Sequence, residues 1–147
     1  PNYEPEVWHA LRMTKKEKAL RVYEALKKMD WHVLDYKLKL ADLKGESWEE
    51  VKDECFKYLA LCSVYKRCAP SSIVDECWHL MILDTKRYEE LGSVVGNFIH
   101  HSPNDGTKKA IGEDLEAFWE TLDYYEETFG EIKNLSIWGV QEKSAEK

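Results

Sequence analysis

Between Ser47 and Lys66 apolar side chains return every third or fourth position. Val51, Cys55, Tyr58, Cys62 and Tyr65 form one stripe, with Phe56 and Leu59 beside it. That spacing is the face of a helix and not of a strand. Ser47-x-x-Glu50, just ahead of it, has the form of a capping box. A segment of this kind must bury its stripe against other helices, and the rest of the chain supplies them. Thr14-x-x-Glu17 opens a second run, Ala19, Val22, Tyr23, Leu26 and Met29, predicting a helix over about 14–29. Pro70 breaks the first pattern. Ser71 or Ser72 then caps a helix carrying Asp75 and His79. Asp84-Thr85 reads as a second cap where that helix bends or restarts. Tyr88, Leu91 and Val95 continue the apolar face, and Gly96 stands where it should end. A last helix is expected over about 108–129, with Leu115, Phe118, Trp119, Leu122, Tyr125 and Phe129 on its inner face and Gly130 after it.

The segment 31–44 can be read two ways. Tyr36 to Leu40 alternates like a strand, whereas Trp31, Leu34, Leu38 and Ala41 step like a helix. A lone strand has nothing to pair with, so the helix is preferred, with Gly45 stopping it. His100 to Thr107 is a loop, marked by Pro103, Asn104, Asp105 and Gly106. Only seven Gly and four Pro occur in 147 residues, which argues against a turn-rich all-β fold. The expectation is an all-α compact bundle of about five or six helices, one domain over 1–147. In the tail, 131–147, Trp138 should dock on the core while the polar end frays.

The formal net charge of −7 disfavours nonspecific binding to nucleic acid and to anionic membrane surfaces. The run Lys15-Lys16-Glu17-Lys18 reads as a solvated helix face. No apolar run approaches the ~20 residues of a membrane span, and Pro1 to Pro5 does not read as a signal peptide. Cys55, Cys62, Cys68 and Cys77 contain no C-x-x-C pair. They are expected to be buried free thiols of a cytoplasmic protein, not a zinc knuckle or a disulfide framework.

Three of the five histidines fall between Asp75 and His101. Asp75 and His79, four apart, share a helix face. His100-His101 follows one helix and one turn later and can fold back over that face. Two imidazoles and a carboxylate with an open position suit Zn²⁺ or a two-histidine, one-carboxylate Fe²⁺ site, zinc ahead of iron. Asp75, His79 and His101 are the expected ligands, with His100 as the substitute, because adjacent histidines diverge in an extended loop. Glu76 and Asp84 are spare carboxylates, and Trp78, Thr85 and Tyr88 are expected to support the site. The same spacing also fits a purely structural role, in which Asp75 favours a helix start and His79 is a bonded core residue. His9 and His32 read as packing or surface residues. Cys77 and His79 point about 200° apart on a helix, so they do not make a nucleophile pair. Gly-rich phosphate loops and the G-x-S-x-G elbow are missing.

The central segment contains Pro70, Ser71, Val74, Asp75, Trp78, His79, Ile82, Leu83, Asp84, Thr85 and Tyr88, then Gly96, Phe98, His100, His101 and Pro103. This block resembles the glycine-rich-domain-containing-protein-like family, with Phe56 to Leu61 and further upstream features extending the likeness over about 34–130. The glycine-rich region of the family's name has no counterpart here. The family usually carries a second His two residues after the W-H histidine, where this chain has Met81. That position faces away from His79 on a helix. The resemblance implies that Asp75, His79 and the His pair form one functional cluster, and it brings no activity with it. Two functions therefore stand: a small helical protein with an Asp/His divalent-metal site, or a non-enzymatic module that binds a protein partner and uses the same cluster as a structural polar network.

Overall fold

The computed structural model describes residues 13–96, 99 and 105–140. Six helices occur among them: α1 Lys15–Lys28, α2 His32–Leu40, α3 Trp48–Cys62, α4 Ser72–Leu83, α5 Thr85–Val95 and α6 Lys108–Phe129. No strand occurs among the described residues. The protein is all-α, as its periodicity predicts. No described helix is long and apolar enough to cross a membrane.

Helix α3 is the axis of the bundle and packs against α1, α2, α4 and α6. Its Val51, Cys55, Phe56, Tyr58, Leu59, Ala60 and Leu61 are buried. Burial on nearly every side follows from having neighbours all round. The Ser47 hydroxyl accepts from Glu50 N at 3.3 Å, and Thr14 and Glu17 form a reciprocal capping box on α1. Each such cap contributes about 1 kcal/mol.

Two helix ends and part of one helix face differ from expectation. Helix α3 ends at Cys62, not near Lys66. The Ser63 hydroxyl donates to Ala60 O at 2.6 Å, and Val64 N turns to Leu61 O instead. Tyr65 therefore leaves the α3 stripe and stacks on Tyr124 at 3.8 Å, their planes 1° apart. Helix α2 ends at Leu40, short of Gly45. Asp42 accepts from Lys44 N at 3.1 Å, and Lys44 (φ 58°) and Gly45 (φ 86°) form the turn that follows. Helix α6 keeps its bounds, with Leu122 and Tyr125 buried and Phe118 and Phe129 packed against the core as expected, but two positions of the expected face turn outward. Leu115 and Trp119 are more than half exposed, while Ala117 and Thr121 are buried. Thr121 is selected for its hydroxyl, which accepts from Ala69 N at 2.9 Å and donates to Ala117 O at 2.7 Å. That exchange ties the link before α4 to α6.

Trp138 docks as expected and is fully buried, with Ile132 and Ile137 beside it. Its ring packs on Tyr58, Phe118 and Tyr125. The polar end expected to fray, 141–147, lies outside the described residues.

Candidate functional site

Helix α4 places the candidate ligands. Ser71 caps it by accepting from Val74 N at 3.2 Å and donates to Ile137 O at 2.8 Å. The start of the helix is thereby fastened to the docked C-terminal segment. Val74, Cys77, Trp78 and Met81 point into the core. Asp75 and His79 lie on the opposite, solvent-facing side, as their spacing requires. Their side chains are 30% and 48% exposed, and Asp75 Oδ2 lies 3.8 Å from His79 Nε2. Two ligand atoms at about 2.1 Å from a tetrahedral ion stand about 3.4 Å apart. Small side-chain rotations would therefore bring this pair onto one ion.

Trp78 lies between them in sequence but faces the core. Its Nε1 donates to the Tyr88 hydroxyl at 2.9 Å, and that hydroxyl donates in turn to Ile99 O. Both rings are buried. The chain after α5 is thus pinned to α4 at the residue just before His100. The left-handed Gly96 (φ 91°), which ends α5, makes the return possible. His100 and His101 themselves lie outside the described residues. Burial raises the Tyr88 phenol to about 12, so it remains a protonated donor at neutral pH.

The other expected supporting residues separate. Glu76 is exposed, a step around the helix from Asp75. Asp84 occupies the α4–α5 junction as the N-cap of α5, without a side-chain capping bond. It lies about 140° around the axis from His79. Thr85 is exposed in the first turn of α5. Met81 is completely buried, with Cys55 Sγ 3.7 Å from its sulfur; it faces away from His79 as expected. No group of three or more His, Cys, Asp or Glu residues positioned to hold an ion occurs among the described residues. His32 is on the surface, 2.9 Å from Asp30, and His9 lies outside the described residues.

Two polar features escaped sequence reading. Glu54 is 1% exposed and accepts from Tyr125 (2.7 Å) and Trp138 Nε1 (2.8 Å) through Oε1, and from Asn134 (2.8 Å) through Oε2. The signal was present: Glu54 falls on the same stripe as Val51, Tyr58 and Leu61. A cleft of about 440 Å³ opens between α1, α2 and α3, lined among others by Asp30, Trp31, Asp35, Lys52 and Phe56. Its carboxylates are engaged within the protein: Asp35 pairs with Lys52 at 2.8 Å and Asp30 with Arg87 at 3.4 Å. None of the α4 residues line it.

A family model matches residues 15–124, from the start of α1 into α6. The chain belongs to the UCP032817-like family. The match takes in α4, α5 and the return segment, so the Asp75–His79 face lies within the part of this UCP032817-like protein that defines its family. No curated protein and no solved structure matches the chain.

Proposed function

We propose that this small helical protein binds one divalent metal ion through Asp75, His79 and His101, with His100 as the substitute ligand and zinc favoured over iron. The observation that carries the reading is the Trp78–Tyr88–Ile99 relay. It pins the chain one residue ahead of the His pair to the helix that carries Asp75 and His79. Two buried aromatic rings thereby tie Ile99, the residue just before the His pair, to the helix that carries Asp75 and His79. Two imidazoles and one carboxylate leave ligand positions open on either ion, for water or a small molecule. In that setting Tyr88 and Trp78 are positioning residues. They fix where the return segment sits and do not touch the ion.

The test is elemental analysis of protein purified without chelator, followed by Zn²⁺ titration of the chelator-stripped protein. About one equivalent per chain is expected, with His79→Ala and Asp75→Asn each losing it while keeping the helical circular-dichroism signal. Protein that takes up no Zn²⁺, Fe²⁺ or Co²⁺, or His79→Ala protein that binds as tightly as the parent, overturns the proposal. In that case the pair is left with a structural role.

A further inference from the structure

Helix α6 is charged against its own dipole. A helix favours acids in its first turn and bases in its last. Helix α1 obeys, with Glu17 at its start and Lys27 and Lys28 at its end. Helix α6 opens on Lys108 and Lys109, with no acid in its first turn, and closes on Glu126 and Glu127, with no base in its last. All four of these residues are exposed. The ion pairs that α6 makes within the described residues run from Glu116 and Glu120 to Arg67, and they leave Lys108 and Glu126 aside. Between the two ends runs an apolar stripe that the bundle does not use. Ile111, Leu115 and Trp119 recur every fourth residue on one face, and each is more than half exposed. Lys108 and Glu126 are about five turns apart, which places both on the midline of that same face. Gly112 lies beside it. A side chain there would meet no atom within 4 Å, so nothing in the described fold calls for a residue that a helix interior disfavours.

We infer that this face of α6 is a homodimer interface, in which two copies of the chain pair their α6 helices antiparallel about a two-fold axis at the level of Ala117. In that register Leu115 of each copy comes opposite Trp119 of the other, and Lys108 of each comes opposite Glu126 of the other. The pairing is self-complementary, as a two-fold interface must be. Each end of α6 gains the countercharge that its own chain does not place there, and the two helix dipoles run in opposite directions. The missing side chain at Gly112 lets the second helix approach closely. A partner for this face has to present an acid at one end of an apolar stripe and a base at the other, about five turns apart. Helix α6 itself meets that requirement, which is why the occupant is a second copy. One helix pair is smaller than a standard interface, so the dimer is a weak one, with a Kd of about 10–100 µM.

The test is sedimentation velocity on the full, chelator-treated chain between about 5 and 500 µM. Chelation keeps the result independent of the metal reading, and near-physiological salt screens the repulsion between two chains of net charge −7. A monomer–dimer equilibrium is expected. Lys108→Glu and Glu126→Lys each set two like-charged pairs across the interface and should weaken it at least about tenfold. Neither should lower Tm, because each improves the charge at its own helix end. The double variant should return to within about threefold of the parent Kd. Trp119→Ala should abolish the dimer while keeping the parent's circular-dichroism signal. A chain still monomeric at about 500 µM, a dimer unmoved by Trp119→Ala, or a double variant no tighter than the single ones overturns the inference.

Discussion

Replacing Glu54 by Ala should be the most damaging single polar change in the molecule. The carboxylate is 1% exposed and joins three elements: α3 by its own backbone, α6 through Tyr125, and the C-terminal segment through Asn134 and Trp138. Lys57 Nζ stands 3.7 Å away, its side chain 20% exposed, and supplies the countercharge. Truncation leaves the Tyr125 hydroxyl and the Trp138 indole N–H without their acceptor in the core. It also leaves Lys57 without that carboxylate, although Asp53 remains 3.4 Å away. A hydrogen bond to a charged group contributes about 1.5–3 kcal/mol, and breaking a buried ion pair costs about 3–5 kcal/mol. These overlap because they share one carboxylate, and Asn134, being only partly buried, regains water. The expected loss is therefore about 4 kcal/mol, a fall in Tm of about 10 °C for a chain of this size. Glu54→Gln should cost far less, about 1 kcal/mol. Its amide oxygen still serves Tyr125 and Trp138, and Asn134 can turn its own amide to meet the new N–H₂. Urea unfolding followed by far-UV circular dichroism gives both numbers. Ala and Gln variants of equal stability, or an Ala variant within about 1 kcal/mol of the parent, would refute the claim that the carboxylate holds these elements together.

Thr121→Val keeps shape but removes the acceptor for Ala69 N; chemical denaturation should show a loss of about 1–2 kcal/mol, from the orphaned N–H. Tyr88→Phe removes the partner of both Trp78 Nε1 and Ile99 O. It should lower stability by about 1–2 kcal/mol, and if the metal reading holds it should weaken Zn²⁺ binding by about tenfold in the same titration. His79→Ala removes its half-exposed pair with Asp75 at 3.8 Å; in a double-mutant cycle with Asp75→Asn on metal-free protein, that pair should account for less than about 0.5 kcal/mol. The phenol of Tyr88 is raised by burial from an ordinary 10.0 to about 12, and Tyr125 is raised by burial and then by the Glu54 charge. Folding favours these protonated phenols. The Tyr88 contribution is complete below the unfolded value near 10 and is lost as pH rises through about 12, and that of Tyr125 has the same sign. Thermal melts across that range, read beside tyrosinate absorbance, should fall together.

The helices were legible because each is announced twice, by an apolar stripe and by a cap. Thr14 and Ser71 cap where the pattern says they should. What escaped was set by partners distant in sequence. Nothing local to α6 says that Thr121 turns inward and Trp119 outward; the decision belongs to Ala69, 52 residues earlier. The end of α3 was misplaced for a smaller reason, a single serine hydroxyl competing for a carbonyl.

Glu54 and Asp75 show what that means for a site. Both are carboxylates on helices capped by a serine, but Glu54 falls on the apolar stripe of its helix and Asp75 falls beside its own. The fold separates them by what surrounds each stripe. Helix α3 is enclosed on nearly every side, and Glu54 on its buried face is met by donors from α6 and the C-terminal segment, so its bonding capacity goes into holding them together. Helix α4 packs on one side only, so Asp75 and His79 keep a face toward solvent. The Trp78–Tyr88–Ile99 relay then brings the chain leading to two further histidines back to that helix. A carboxylate enclosed by its own protein's donors is part of the scaffold. One left on a half-exposed face, as Asp75 is beside His79, can be reached from outside, which is the condition the metal reading needs.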